Sequence, residues 1–508
     1  MFDVVVIGAG SAGAVVAARA SEHPQLSVAL LEAGPDYPLL GGTPPDLVDS
    51  HDNSYTAHDW GWSYLPTSRA ERPVPFPRGR VTGGSSAVNT TIALRGVPED
   101  YDHWAELGNP GWAWDDVLPA FRRLERDLDF GHEPYHGDAG PITIRRYRDD
   151  ELTVPQAAWL EAAAMLGYPS CADANDPTGW GAGPHPMNKV GRVRVSTAVG
   201  YLAPARVRPN LTIRGDAPVR RLLVDDRRRV VAAELHDGSR VEGRLFVLSA
   251  GAVASPGVLE RSGIGRPEVL DRLGVEVVAD VAGVGENLQD HPAAAVACEV
   301  RDGVDLDLDS PIVQTILRYT APGSELRNDL QIEVFSFARR RGEAVPRRFA
   351  IAGVLEQCFS RGSVHLTSTD PAAPPAIAPA LCSDERDVER LAIAFLDAVA
   401  FTAAKPLADI VERVTFPRLP VDLDAARELV ARFAGSGFHP CGSLRMGPAG
   451  DAMSVVDERG RCRAVEGLVV ADASIMPTVP RANTNLTAIM IGEMVGEWIR
   501  TEPEAYGL

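Results

Sequence analysis

The sequence predicts an α/β protein with more than one folding unit, and three observations carry that expectation. A β-branched run without alternation, DVVVI at residues 3–7, leads directly into Gly8, Gly10 and Gly13 and then into the helix-forming stretch AVVAARASEH. A second strand, SVALLEAG, ends near Glu32 and Ala33. Two further units of strand, tight turn and helix recur at residues 245–265 and 467–499.

The first run reads as a parallel strand buried on both faces, because it does not alternate. The three glycines then have separate tasks: Gly8 permits the tight turn, Gly10 lets backbone approach a pyrophosphate, and Gly13 lets the helix pack on the strand. With Ser11 and Ala12 they open a helix whose free N–H groups and partial positive charge suit phosphate. Glu32, at the carboxyl end of the second strand, is placed to accept hydrogen bonds from both hydroxyls of an adenosine ribose and to repel a 2′-phosphate. Strand, turn, helix, strand and terminal acid in that order predict a Rossmann-like nucleotide-binding unit, without separating FAD from NAD.

A plain NAD domain has no use for PRGRVTGGSSAVNTTIALRG, residues 77–96. There Gly83 and Gly84, followed by Ser85 and Ser86, bring backbone N–H groups and hydroxyls against a flat polar ligand, and Asn89 adds an amide. The strand LFVLS runs into AGAVASPGVLERSGIG, a glycine turn and helix that start at Ala250 and Gly251. Towards the C-terminus a strand ends at Asp472, whose carboxylate is placed to orient a ribityl or phosphate group. A proline-bounded loop then leads into a helix beginning near Asn485.

With these stretches the chain resembles the glucose-methanol-choline (GMC) oxidoreductases from end to end. GRVTGGSSAVN at 79–89 and GAVASPGVLERSGIG at 251–265 match the family's two signature stretches. The N-terminal nucleotide motif and the C-terminal HPCGSLRMG and NTN elements flank them in the same order, and GVGENLQDHP at 283–292 is also typical. The resemblance implies the GMC fold, in which a Rossmann-like FAD-binding α/β domain stands beside a substrate domain built on an antiparallel sheet covered by helices. It implies FAD, held by Gly8, Gly10, Ser11, Ala12, Gly13, Glu32, Ala33, Arg80, Gly83, Gly84, Ser85, Asn89, Val219, Ala250, Gly251, Asp472, Ala473, Asn485, Leu486 and Thr487. Some members anchor the flavin covalently through a histidine just before the signature asparagine; here that position is Val88, so the FAD is expected to be non-covalent.

The resemblance also assigns roles within GFHPCGSLRMG, residues 437–447. In the family a histidine of this motif sits near flavin N5, with a second His or Asn from the loop before the last helix; the matching positions are His439 and Asn483. A neutral imidazole with an ordinary pKa of about 6.5 suits accepting the hydroxyl proton of an alcohol while hydride moves to the flavin. An asparagine donates a hydrogen bond to the developing alkoxide without competing for the proton. Pro440 restricts the backbone of His439 to extended conformations, so the ring is expected on a loop. Asn485 is expected to cap the last helix and to neighbour the flavin.

The implied activity is oxidation of a small primary alcohol, aromatic or furanic, to the aldehyde, with oxygen or a quinone-like acceptor reoxidising the flavin. Within the family the motifs are nearest to hydroxymethylfurfural oxidase, aryl-alcohol oxidase and choline or alcohol dehydrogenase-like members. The alternatives are a choline-type dehydrogenase and a non-redox flavoprotein of the same fold, such as a hydroxynitrile lyase.

Other stretches are read more plainly. HEPYH at 132–136 satisfies the zinc pattern H-E-x-x-H literally, but Pro134 and the flanking Gly131 and Gly137 exclude the helix that would put both imidazoles on one face. It is read as a surface loop, and no metal is expected. The tryptophans of DWGWSYLPTS, residues 59–68, are read as packing groups, with a channel lining as the alternative. Arg481 is read as an ordinary surface arginine rather than a pocket residue, and Cys441 as a small packed hydrophobe. LAIAFLDAVAFTAA, from Leu391, is short and carries Asp397, so it is read as a buried helix. RGSVHLTSTDP, residues 361–371, is read as strand within the substrate domain's sheet.

Composition sets the outer limits. With 508 residues, 45% of them hydrophobic and 23% charged, the chain is an ordinary globular protein larger than one domain. Its 69 acidic against 50 basic residues leave a net charge of −19, which disfavours nucleic acid and anionic membrane surfaces as partners. Six cysteines without C-x-x-C spacing argue against a disulfide framework and fit a cytoplasmic location, and no leader pattern precedes the first strand. The flavin motifs fall into residues 1–145, 205–290 and 437–508, which leaves 146–204 and 291–436 for the substrate domain. In family terms, about 1–290 forms the N-terminal region and about 360–500 the C-terminal region.

Overall fold

The non-alternating run at the N-terminus forms strand Phe2–Ile7 in the middle of a seven-stranded sheet, with Val4, Val5 and Val6 fully buried. The computed structural model describes residues 1–53, 56–338 and 347–508. In spatial order the sheet runs Leu211–Arg214, Val28–Leu31, Phe2–Ile7, Arg240–Leu248, Val230–Leu235 and Val219–Val224. The first four strands are parallel, and Leu468–Val470 pairs in parallel with the carboxyl end of Arg240–Leu248. The last two continue the sheet as an antiparallel extension.

Helix Gly13–Ala20 packs on this sheet and is itself crossed by the last helix, Thr484–Thr501. The crossing depends on two glycines. A Cβ on Gly492 would stand 2.7 Å from the Ala12 carbonyl oxygen, and one on Gly496 would stand 2.8 Å from Arg19 Cβ. Between them Glu493, fully buried, accepts hydrogen bonds from Arg19, Arg123 and the Tyr201 hydroxyl, so its charge is met where water does not reach.

The expected antiparallel sheet is present. Its order is Val411–Phe416, Pro292–Val300, Arg348–Leu355, Leu330–Ala338, Thr315–Tyr319 and Gly181–Pro184, with Gly435–Ser436 also pairing with Pro292–Val300. Helix Glu385–Phe401, which contains the run read as a buried helix up to Phe401 and stops before its last three residues, covers one face; a Cβ on Gly353 would stand 2.6 Å from the Ala394 carbonyl carbon. Alternation sends Gln331, Glu333 and Phe335 to the other face, alongside Ala352 and Val354 of the neighbouring strand, and these five line a cavity that the first sheet also reaches.

Three expectations are corrected. The stretch at 361–371 does form a strand, Ser363–His365, but it pairs with Ala376–Ala378 in a two-stranded ribbon instead of joining the large sheet. Leu366 is drawn against Gly257 of helix Gly251–Arg261, and His365 bridges Glu260 and Glu286. HEPYH is not helical, but of its two histidines only His132 is exposed; His136 is buried, with Nδ1 against Glu125 and Nε2 against Asp173. Glu125, Asp127 and His136 lie close enough to hold a metal ion, yet Arg95 and Arg146 already meet the two carboxylates. Arg481 is neither at the surface nor in the cavity: it is buried, and its Nε donates to Asp100 Oδ1 at 2.7 Å. Among the described residues, no helix is long and apolar enough to cross a membrane.

Candidate active site

The carboxyl ends of strands Phe2–Ile7, Val28–Leu31 and Arg240–Leu248 open on a cavity of about 680 Å³, the position where parallel sheets receive ligands. The turn after the first strand is possible because Gly8 sits at φ +97°, where a Cβ would stand 2.4 Å from the Ser249 carbonyl oxygen. Gly84, at φ +51°, brings the second motif against the first, since a Cβ there would stand 2.6 Å from Gly10 Cα. The sequence motifs around residues 10 and 84 therefore build one surface.

Two acids tie these turns together. Glu32 accepts from the backbone N–H groups of Ala9 and Gly34, both at 2.9 Å, and burial pushes its carboxyl up to about 7. Asp472 accepts from Gly251 N at 2.8 Å, Ser255 Oγ at 2.7 Å and Ser474 N at 2.7 Å, joining the central glycine turn to the C-terminal loop. Burial also raises the Asp472 carboxyl above its ordinary value.

Of the cofactor residues expected from sequence, Gly8, Gly10, Ser11, Ala12, Glu32, Ala33, Arg80, Gly84, Ser85, Asn89, Val219, Ala250, Gly251, Asp472, Ala473 and Asn485 line the cavity. Gly13, Gly83, Leu486 and Thr487 do not. Gly13 faces the Gly8 carbonyl, Gly83 N donates to Ala9 O, Leu486 is core, and Thr487 Oγ1 bonds the Tyr101 hydroxyl. On a helix the face shared with Asn485 is continued three residues later, and Ala488 is the residue that lines the cavity. Asn485 is not the cap either: the helix begins at Thr484 after Asn483, and Asn485 Oδ1 accepts from Ser11 Oγ at 2.8 Å. Trp60 and Trp62 stack on each other at 5.0 Å and line the cavity mouth with Arg80, whose guanidinium lies over Trp60.

His439 lies on a loop, as Pro440 requires, and its position is fixed from the backbone. Asp290 Oδ1 accepts from His439 N at 2.8 Å, Asp290 Oδ2 accepts from Ser436 Oγ, and Ser436 Oγ accepts from Phe438 N at 2.7 Å. These bonds hold Phe438 at φ +65°, a left-handed conformation that costs a bulky residue about 1–3 kcal/mol. His439 Nε2 and Asn483 Nδ2 are 3.0 Å apart, and both residues line the cavity. Asn483 occupies the N-cap position of the last helix but makes no side-chain cap bond, which frees its amide to face the imidazole. Burial, then the neighbouring His291 and Arg78, hold the His439 imidazole well below its ordinary pKa. Cys441 beside it is fully buried, with its thiol pushed far up.

Sequence reasoning missed two features. His291 Nδ1 lies 2.9 Å from His439 Nδ1, with the rings edge to face. The readable signal was that both histidines precede proline, in DHP and FHP. Glu333 and Glu356 face the cavity with Gln331; the polar alternation Q-x-E within strand Leu330–Ala338 was the signal for Gln331 and Glu333, whereas Glu356, just past strand Arg348–Leu355, had none.

Comparison with known proteins identifies the family. The GMC oxidoreductase family model matches residues 2–293 in its N-terminal part and 358–492 in its C-terminal part. The chain belongs to the GMC oxidoreductase family. It is 35% identical to a 5-(hydroxymethyl)furfural oxidase from Methylovorus sp. strain MP688 over 99% of both chains, and 36% identical to an oxygen-dependent choline dehydrogenase from Klebsiella pneumoniae over 98% of this chain and 96% of that one. Among solved structures it matches a pyridoxine 4-oxidase described as from Mesorbium loti, with a TM-score of 0.90 and 30% identity over 98% of both chains. The GMC chain is thus a flavin-dependent oxidoreductase acting on CH–OH groups. Its residues fit FAD. Gly251, at φ +86°, has open space where a Cβ would project, and two buried amide atoms at the cavity, Asn483 Oδ1 and Asn485 Nδ2, have no protein partner.

Proposed function

We propose that this GMC oxidoreductase converts a primary alcohol into its aldehyde with non-covalently held FAD, using His439 as base and Asn483 as donor to the alcohol oxygen. The observation that carries this reading is the 3.0 Å approach of His439 Nε2 to Asn483 Nδ2 in the cavity wall. A hydroxyl that approaches both atoms from the cavity replaces their mutual hydrogen bond, donating to Nε2 and accepting from Nδ2, so its O–H bond breaks as an N–H bond forms, and the oxygen keeps a fixed donor as its charge grows. FAD, when bound, supplies the two-electron acceptor for the hydride that leaves the carbinol carbon. The turns at Gly10, Gly84 and Gly251 would hold it with Glu32 and Asp472, and Val88 offers no nucleophile for a covalent link.

Phe335, Phe438, Val313 and Val354 line the same cavity and support an aromatic or furanic alcohol, as does the name of the furfural oxidase relative. Glu333 and Glu356 favour a second reading, an alcohol that carries positive charge, which the choline dehydrogenase relative also supports. Burial pushes both carboxyls up to about 8, and a cation beside them would draw them back towards the ionised form.

The test is anaerobic mixing of the holoenzyme with benzyl alcohol, hydroxymethylfurfural and choline while the flavin absorbance at ~450 nm is followed. Bleaching by the neutral alcohols supports the first reading, and bleaching by choline alone supports the second. No bleaching by any member of a broad alcohol panel would end both. Admitting oxygen afterwards separates oxidase from dehydrogenase. Acid precipitation that leaves the flavin in solution confirms non-covalent binding.

A further inference from the structure

The structure assigns to His291 the task of deciding which nitrogen of His439 is the base, an inference that rests on His439 being the base in the proposed oxidation. Antiparallel pairing of Gln289 with Cys441 and of Pro292 with Ser436 brings the two histidines opposite each other. His291 lies outside the cavity lining, is fully buried, and has a different partner on each ring nitrogen.

Its Nε2 is 3.1 Å from the Pro480 carbonyl oxygen. A carbonyl only accepts, so Nε2 carries the hydrogen. A neutral imidazole protonated at Nε2 has its lone pair at Nδ1, and burial keeps this ring neutral by lowering its pKa to about 4. Nδ1 faces His439 Nδ1 at 2.9 Å, while Glu356, the other titratable group beside it, keeps its Oε2 at 3.7 Å, beyond hydrogen-bond distance. One of the two Nδ1 atoms has to donate, and His439 is the ring left to do so. With Nδ1 protonated, neutral His439 keeps its lone pair on Nε2, the atom that faces the Asn483 amide. The backbone carbonyl of Pro480 thus dictates, through two imidazoles, that the basic nitrogen points to the alcohol. His291 is a positioning residue.

The Pro480 carbonyl is itself held in place. The next residue's N–H, at Arg481, donates to Asp100 Oδ2 at 2.8 Å, and the Arg481 side chain pairs with the same carboxylate. Gly437 N donates to the His291 carbonyl at 2.7 Å, so the backbones carrying both rings are bonded to each other. The tautomer is fixed by parts that have little room to rearrange.

The test has two readouts. In holoenzyme labelled with ¹⁵N-histidine, long-range ¹H–¹⁵N spectra are expected to show a neutral ring protonated at Nδ1, identified as the signal missing from His439→Gln. His291→Asn keeps an acceptor oxygen where Nδ1 stood and is expected to retain that pattern, whereas His291→Leu loses it. In rapid mixing at saturating alcohol, His291→Leu is expected to slow flavin reduction on the order of 10–100-fold with the substrate dissociation constant unchanged, and His291→Asn to recover most of the rate. A wild-type His439 protonated at Nε2, or a His291→Leu enzyme that reduces its flavin at the wild-type rate, overturns the assignment. Should His291→Leu fail to fold, the wild-type and His291→Asn spectra still decide. If no alcohol reduces the wild-type flavin, the oxidation reading falls, and the tautomer pattern alone judges this inference.

Discussion

His439 is a half-buried imidazole on the cavity wall with a second imidazole, and no carboxylate, hydrogen-bonded to its Nδ1, and that sets its behaviour as a base. Its pKa is displaced downwards, so it stays unprotonated, and competent to accept a proton, at pH values where an exposed histidine is already charged. The His439 limb of the kcat/KM profile is therefore expected only in solution more acid than about 6.5; Glu333 and Glu356, pushed up to about 8 in the same cavity, titrate separately, so a limb at pH 7 or above that persists in a Glu333→Gln, Glu356→Gln double variant would contradict the assignment. His439→Ala is expected to slow flavin reduction roughly 10²–10⁴-fold, and Asn483→Ala roughly 10²–10³-fold, both measured anaerobically in single turnovers. These two residues were legible in the sequence because a histidine before proline and a polar NTN turn stand out on loops. The orientation of His439 was not, because it depends on a carbonyl at Pro480 and a ring 148 residues away.

At the scale of elements, the parallel strands were legible because runs without alternation belong to strands buried on both faces, and the glycine turns because each separates a strand from a helix. The ribbon at 363–365 was misplaced for a physical reason: alternation identifies a strand but not its partner, and the partner was chosen by burial against helix Gly251–Arg261. The cradle makes a test of this level. Gly84→Ala places a Cβ 2.6 Å from Gly10 Cα at a residue with φ +51°, and the obstacle is backbone rather than a mobile side chain. The purified variant is expected to emerge from gel filtration with much less flavin per chain, read as the ratio of flavin to protein absorbance, and with a lower thermal midpoint. Gly41→Ala, where nothing stands within 4 Å of the added atom, is expected to match the wild type in both.

Across the whole molecule, one buried ion pair links parts that composition could never have connected. Asp100, on helix Pro98–Glu106, and Arg481, just before the Asn483 turn, bury their side chains to 1% and 4% exposure, and Arg481 also donates to the Arg327 carbonyl on a loop of the second sheet. The sequence suggested a surface arginine because nothing near Arg481 in the chain balances its charge; the balancing carboxylate lies 381 residues away. Removing it leaves a guanidinium uncompensated out of water, which costs about 3–5 kcal/mol. Asp100→Ala is therefore expected to lower the denaturant midpoint clearly, while Glu71→Ala, which breaks the exposed pair with Arg432, is expected to leave it almost unchanged. The same Asp100 variant frees the loop that carries Pro480 and Asn483, although Asp100 itself does not line the cavity. Flavin reduction is thus expected to slow well below the denaturant transition, where the chain is still folded. Stability lost with flavin reduction intact would mean that the pair holds the fold but does not hold the catalytic loop.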